Sequence, residues 1–193
     1  MARWTPDARM RLAQAALDLY VERGFEPTTV AEIAARAGLT ERTYFRHFAD
    51  KREVLFARSA VLEAHIISAV SNAPETEAMD MTVAGLCAAG DFLEHSRDWS
   101  RRRQQVINAN AGLRERELIK MDALSTALSA ALEGRGVTRL EARLTAGVGV
   151  VVYRQAFEQW INQPNPPDWT VVVQQVRDQL QSMLVHSART GVK

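Results

Sequence analysis

The chain has 193 residues, 47% of them apolar, with a single cysteine and a formal net charge of +1. That length allows one large domain or a small domain fused to a larger one, and one cysteine excludes an intramolecular disulfide and a four-thiolate metal site. Lys and Arg exceed Asp and Glu by ten to eight over residues 1–58 and fall behind by fourteen to fifteen thereafter, which excludes a strongly basic surface and leaves any nucleic-acid contact to a few placed donors.

Apolar residues recur at three- and four-residue spacing almost everywhere, and no alternating β-branched run is bounded by turn signals, so the pattern predicts an all-α chain of about nine helices. The first helix opens at Thr5 with Pro6 in its first position, buries Leu12, Ala16 and Leu19, and stops at Gly24. Thr29 and Glu32 form a capping box for a short second helix ending at Gly38. Thr40 caps a third, about two turns long, holding Arg42, Thr43, Tyr44, Phe45 and His47. A box of Asp50 and Glu53 then starts a long fourth helix from Lys51 to about Asn72. Further helices are expected near 77–95, 98–110, 113–134, 138–162 and 168–187, the last two separated by a loop with Pro164, Pro166 and Pro167. The first residues lack an apolar core with a cleavage site, and no apolar run approaches bilayer length, so the expectation is a cytoplasmic protein that neither leaves the cell nor enters a membrane.

The two short helices around Ala37-Gly38-Leu39-Thr40 make a helix-turn-helix pattern, with Gly38 at the turn and Ile33, Ala34 and Leu39 on the inner faces. The second helix of such a unit enters the major groove. Its candidate contacts are Thr40, Glu41, Arg42, Thr43, Tyr44 and His47. Arg42 suits a bidentate contact to guanine. Thr40, Thr43, His47 and Lys51 carry donors for phosphates, Lys51 at a helix N-terminus, and Thr28 and Thr29 can hold another phosphate where the second helix opens.

The run Thr28-Thr29-Val30-Ala31-Glu32-Ile33-Ala34, Ala37 to Phe48, Lys51 and Leu55 resembles the DNA-binding domain of the TetR family of repressors over about residues 8–56. Membership implies a homodimer on a palindromic double-stranded operator, and a C-terminal pocket whose small-molecule effector moves the reading heads apart. It divides the chain into a helix-turn-helix domain, 1–50, and a helical ligand-binding and dimerisation domain, 51–193, linked by the helix from Lys51. The sequence departs from the family where a phosphate-binding tyrosine is usual: Phe45 stands there, the tyrosine has moved to Tyr44, which either reaches DNA or packs inside, and Arg46 can compensate by charge. Trp99, Arg102, Gln105, the run Gly112 to Glu117 and Trp160 are similar to members grouped with acyl-CoA-responsive regulators, implying a hydrophobic or acyl-CoA-like effector.

Within 138–162 the stripe Gly147, Val150, Val151, Arg154, Phe157 and Ile161, and within 168–187 the stripe Val172, Val176, Leu180 and Met183, can supply a four-helix dimer interface or be buried inside one chain. Gly147 and Gly149 cost helix stability unless something packs closely on them. Arg101-Arg102-Arg103 reads as an anion site or a solvated helix face, and Asp91 with His95 as an acid–base or metal pair or a surface contact. No cofactor or metal motif appears, nor a nucleophile elbow or a phosphate-cradling glycine loop, so no enzyme is expected. The alternatives are a ligand-independent DNA-binding protein and an enzyme using the C-terminal helices.

Overall fold

The computed structural model describes residues 8–190, and no strand occurs among them. Ten α-helices follow in order: α1 Ala8–Arg23, α2 Val30–Arg36, α3 Glu41–His47, α4 Ser59–Asn72, α5 Ala78–Ala88, α6 Gly90–Glu94, α7 Arg97–Asn108, α8 Ala111–Gly134, α9 Arg139–Asn162 and α10 Trp169–Thr190, with a 3-10 turn at Glu53–Phe56. The expected Thr5 cap and Pro6 start lie outside the described residues.

These helices form two compact units, neither contiguous in sequence. Where the sequence places a boundary at residue 50, the first unit runs on to Ala60 and takes in Trp99–Ile119. Its core joins Leu12, Leu17, Ile33, Tyr44 and Phe48 to Val54, Leu55 and Phe56 and to Val106, Ile107 and Leu113. Thr29 caps α2 with both arms of the expected capping box in place. The α2–α3 turn is closed by Leu39 N–H donating to Ala34 O (2.8 Å) and Gly38 N–H to Ala35 O (3.0 Å), the paired bonds of a helix end whose terminal residue is left-handed. Gly38 supplies that conformation, with φ +65°.

The fourth helix does not start at Lys51. The Asp50 carboxylate accepts from the Arg52 and Glu53 amides (2.7 and 3.1 Å), so the cap is real, but it opens only the 3-10 turn. The carbonyls that a continuing α-helix requires go to arginines instead: Leu55 O accepts from Arg103 Nε (2.8 Å) and Ala57 O from Arg9 Nε (3.2 Å). The stretch Glu53–Asn72 is, against expectation, long and apolar enough to cross a membrane by length and composition. Its Val54, Leu55 and Phe56 lie in the first core and Ile66 and Val70 in the second.

The second unit packs α5, α9 and α10 around Leu86, Val152, Tyr153, Trp160, Trp169 and Val173. The helix expected over 77–95 is interrupted, and the count of about nine holds when α5 and α6 are taken together. At the break, Trp169 Nε1 donates to Leu86 O (2.7 Å), the carbonyl that an unbroken helix would offer to the Gly90 amide. Gly149 answers the question of close packing from inside: a Cβ there would lie 2.6 Å from Thr82 Cγ2. Nothing lies within 4 Å of a Cβ built on Gly147.

Candidate nucleic-acid interface

The helix-turn-helix sorts the residues of α3 by a simple periodicity. Tyr44 and Phe48, four apart, face inward and are buried; Glu41, Arg42, Phe45 and Arg46 face outward. Tyr44 is 0% exposed, its hydroxyl donates to Asp50 O (3.1 Å), and its ring packs on Phe48. The expected DNA contact by Tyr44 is therefore corrected: the side chain is a core residue closing the loop after α3. Phe45 takes the outward position, 55% exposed, its ring edge-on to Tyr44 at 5.5 Å.

Two further expectations change. Thr28 is buried and its Oγ1 donates to Gly24 O (2.7 Å), so no hydroxyl is left for a phosphate. Lys51 stands before the 3-10 turn rather than at an α-helix N-terminus. Its Nζ donates to Phe25 O and Glu26 O (2.9 and 3.1 Å) and sits 4.3 Å from the Phe25 ring centre, fastening the α1–α2 loop. Thr29 is exposed, yet its amide and hydroxyl both donate to Glu32 Oε2 (2.8 and 2.9 Å). Thr40 is exposed at the α3 cap, where Oγ1 accepts from the Thr43 amide (3.2 Å) and lies 3.1 Å from Thr43 Oγ1. His47 is half-buried, with Nε2 buried and no hydrogen-bond partner for it among the described residues, while its carbonyl accepts from Arg9 Nη1 (2.9 Å).

Charge in this unit is mostly spoken for. Arg23 pairs with Glu32, Arg36 with Glu22, Arg52 with Asp50 and Arg102 with Asp18. Arg9, Arg11 and Arg114 donate to backbone carbonyls. Burial opposes ionisation of Asp50, but hydrogen bonds from the Arg52 side chain and the Arg52 and Glu53 amides hold its carboxyl below the usual range. Among the described Lys and Arg of this unit, Arg42 and Arg46 have no such partner, and they lie one helical turn apart on the exposed face of α3.

Two of the arginine triple are engaged within the unit: Arg102 pairs with Asp18, and Arg103 donates to Leu55 O, pairs with Glu117 (3.3 Å) and lies over Phe56. His95 Nδ1 meets the backbone oxygen of Asp91 (2.9 Å), not its carboxylate. The two stripes expected at a dimer interface divide. Ile161, 3% exposed, belongs to its own unit's core, which corrects that expectation, and Val150, Phe157, Val176 and Leu180 pack partly against the same core. Arg154 and Met183 are exposed. On the outer face of α9, Leu140 (72% exposed), Leu144 (63%), Gly147 and Val151 recur at helical spacing; Leu140 and Leu144 were not singled out in the sequence, although their four-residue spacing marks them.

Residues 12–57 match the family model described as bacterial regulatory proteins, tetR family, and residues 76–185 the one described as the MftR C-terminal domain. The chain is similar to the HTH-type transcriptional regulator TcmR of Streptomyces glaucescens, 36% identical over 69 residues, which are 36% of this chain and 30% of TcmR. It is also similar to the HTH-type transcriptional activator FasR of Mycolicibacterium smegmatis, 32% identical over 94 residues, 46% of this chain and 42% of FasR. The chain thus spans less than half the length of these curated relatives. The crystal structure of the transcriptional regulator FadR from Bacillus subtilis in complex with stearoyl-CoA superposes with a TM-score of 0.62 at 16% identity, covering 89% of this chain and 96% of that one, a likeness of fold. With the helix-turn-helix in place and a C-terminal family model covering more than half of its residues, the chain belongs to the TetR family of bacterial regulatory proteins.

Proposed function

We propose that this protein is a ligand-responsive transcriptional regulator that binds a palindromic double-stranded operator as a homodimer, represses from it in the cytoplasm, and is released by a small molecule. The observation that carries the reading is the pair of guanidinium groups, Arg42 and Arg46, that have no partner among the described residues on the exposed face of α3. In a unit whose other described cations are engaged, two that remain open on a helix-turn-helix reading helix fit guanine edges and phosphates. Thr40, Glu41, Thr43 and His47 line the same helix as secondary contacts, with Thr29 at the start of α2.

Residues 1–50 supply DNA reading and 51–193 ligand binding and dimerisation, helped in reading by the 99–119 segment that completes the first core. The dimer forms through the outer face of α9, at Leu140, Leu144, Gly147, Val151 and Arg154, with Met183 of α10. The effector is a hydrophobic or acyl-CoA-like molecule; the likeness in fold to a regulator crystallised with stearoyl-CoA supports that class. Its mechanism is a population shift: without ligand the paired α3 helices fit half-sites about one helical turn apart, and a ligand preferring another spacing weakens binding. No catalytic step is assigned.

The test is selection of duplexes from a random pool by the purified protein at fixed moderate salt, followed by anisotropy titrations on the selected sequence. A palindrome is expected. Arg42→Ala should flatten discrimination at one base position by about 1–3 kcal/mol, whereas Arg46→Ala should weaken all duplexes alike and lower the salt slope by about one. Equal losses on every duplex for Arg42→Ala would remove its base-reading role, and the absence of any enriched sequence would remove the operator reading.

A further inference from the structure

The unexplained feature of the first unit is an exposed phenylalanine on an otherwise polar helix face. Phe45 is 55% exposed, yet it does not hang loose. Its ring stands edge-on to Tyr44 at 78° and 5.5 Å, and Tyr44 is itself fixed by burial and by its bond to Asp50 O. Arg42 lies one turn before it and Arg46 directly after, both exposed and without a partner among the described residues. A pre-positioned apolar ring framed by open cations requires a partner that is anionic overall and carries an apolar group within reach. In the major groove of duplex DNA that group is the 5-methyl of thymine.

We propose that Phe45 is a specificity determinant that reads a thymine 5-methyl group by apolar contact, next to the base addressed by Arg42. The proposal rests on the DNA-reading function above and deepens it by naming the base and the atom. Residues three apart on a helix have side chains about 5–6 Å apart, and base pairs rise about 3.4 Å per step. The thymine therefore lies within one or two base pairs of the position that Arg42 reads. The ring carries no hydrogen-bonding group, so phosphate binding is not its role.

The experiment uses the full-length protein and the duplex obtained by selection. Each thymine is replaced singly by deoxyuridine, which pairs identically and lacks only the methyl group, and affinities are measured for the native protein, Phe45→Ala and Phe45→Tyr, with helix content checked by circular dichroism. One thymine per half-site should lose about four-fold in affinity on replacement, the effect expected for one buried methyl group. That loss should vanish in Phe45→Ala and persist in Phe45→Tyr. Identical deoxyuridine effects in the native protein and Phe45→Ala overturn the proposal. So does a Phe45→Tyr variant that binds every duplex more tightly without methyl dependence, since the ring would then face the backbone. Failure to select any sequence points instead at the DNA-reading function itself.

Discussion

Tyr44 and Phe45 are neighbours in sequence with opposite tasks, and substituting Tyr44 separates folding from reading. The Tyr44 hydroxyl donates to Asp50 O at 3.1 Å from a fully buried ring. A hydrogen bond of this kind is worth about 0.5–1.5 kcal/mol net, so Tyr44→Phe should lower stability by about 1 kcal/mol. For a chain of this size that is about 2–4 °C in unfolding midpoint. Tyr44→Ala removes the whole ring from the core shared with Leu12, Ile33, Phe48 and Leu55 and should cost about 3–5 kcal/mol, the range for emptying an aromatic site. Thermal unfolding followed by circular dichroism reads both, and anisotropy on the selected duplex, at a temperature where the variant is folded, reads binding. Tyr44→Phe should bind with native affinity. A Tyr44→Phe variant with an unchanged midpoint and weakened DNA binding would refute the inward placement and return the hydroxyl to the phosphate backbone.

Burial, reinforced by neighbouring groups including Asp50, raises the ionisation of both Tyr20 and Tyr44 above the ordinary 10.0. Because the folded values exceed the unfolded one, the stability they contribute is whole below about pH 10 and is lost as pH rises beyond it; urea midpoints should fall from there upward, more steeply in the native protein than in Tyr44→Phe. Gly149→Ala places a methyl 2.6 Å from Thr82 Cγ2, and Thr82 is buried and bonded to Ala78 O (2.9 Å). An overpacking cost of about 1–3 kcal/mol exceeds the helix-propensity gain of about 1 kcal/mol, so the thermal midpoint should drop; a rise would show that Thr82 yields freely. Leu144→Asp adds a charge to the outer face of α9 at a side chain 63% exposed, so it should leave the fold intact and shift sedimentation from dimer to monomer. Unchanged association would move the interface elsewhere.

The helix-turn-helix was legible because its signals are local: the Thr29–Glu32 box, the left-handed Gly38 and the Thr40 cap each act within a few residues. What escaped was decided by partners far along the chain. Nothing near Lys51 reveals that Arg103 and Arg9 will take the carbonyls of Leu55 and Ala57 and delay α4 to Ser59. Nothing near Leu86 announces that the Trp169 indole will claim its carbonyl and divide α5 from α6. Lys51 was misplaced for the same reason, its ammonium being used by the carbonyls of Phe25 and Glu26. The inward turn of Tyr44 is the exception, since its four-residue spacing to the apolar Phe48 is a local signal available in the sequence.

The reading core of this protein is completed by Val106, Ile107 and Leu113, some sixty residues beyond α3, and the chain leaves the first unit at Ala60 and re-enters it at Trp99. The DNA-reading part is therefore not a cassette at one end of the gene. A chimeric biosensor spliced at a single point after residue 57 would carry a foreign lid on its core, and faithful exchange of specificity needs two coordinated insertions.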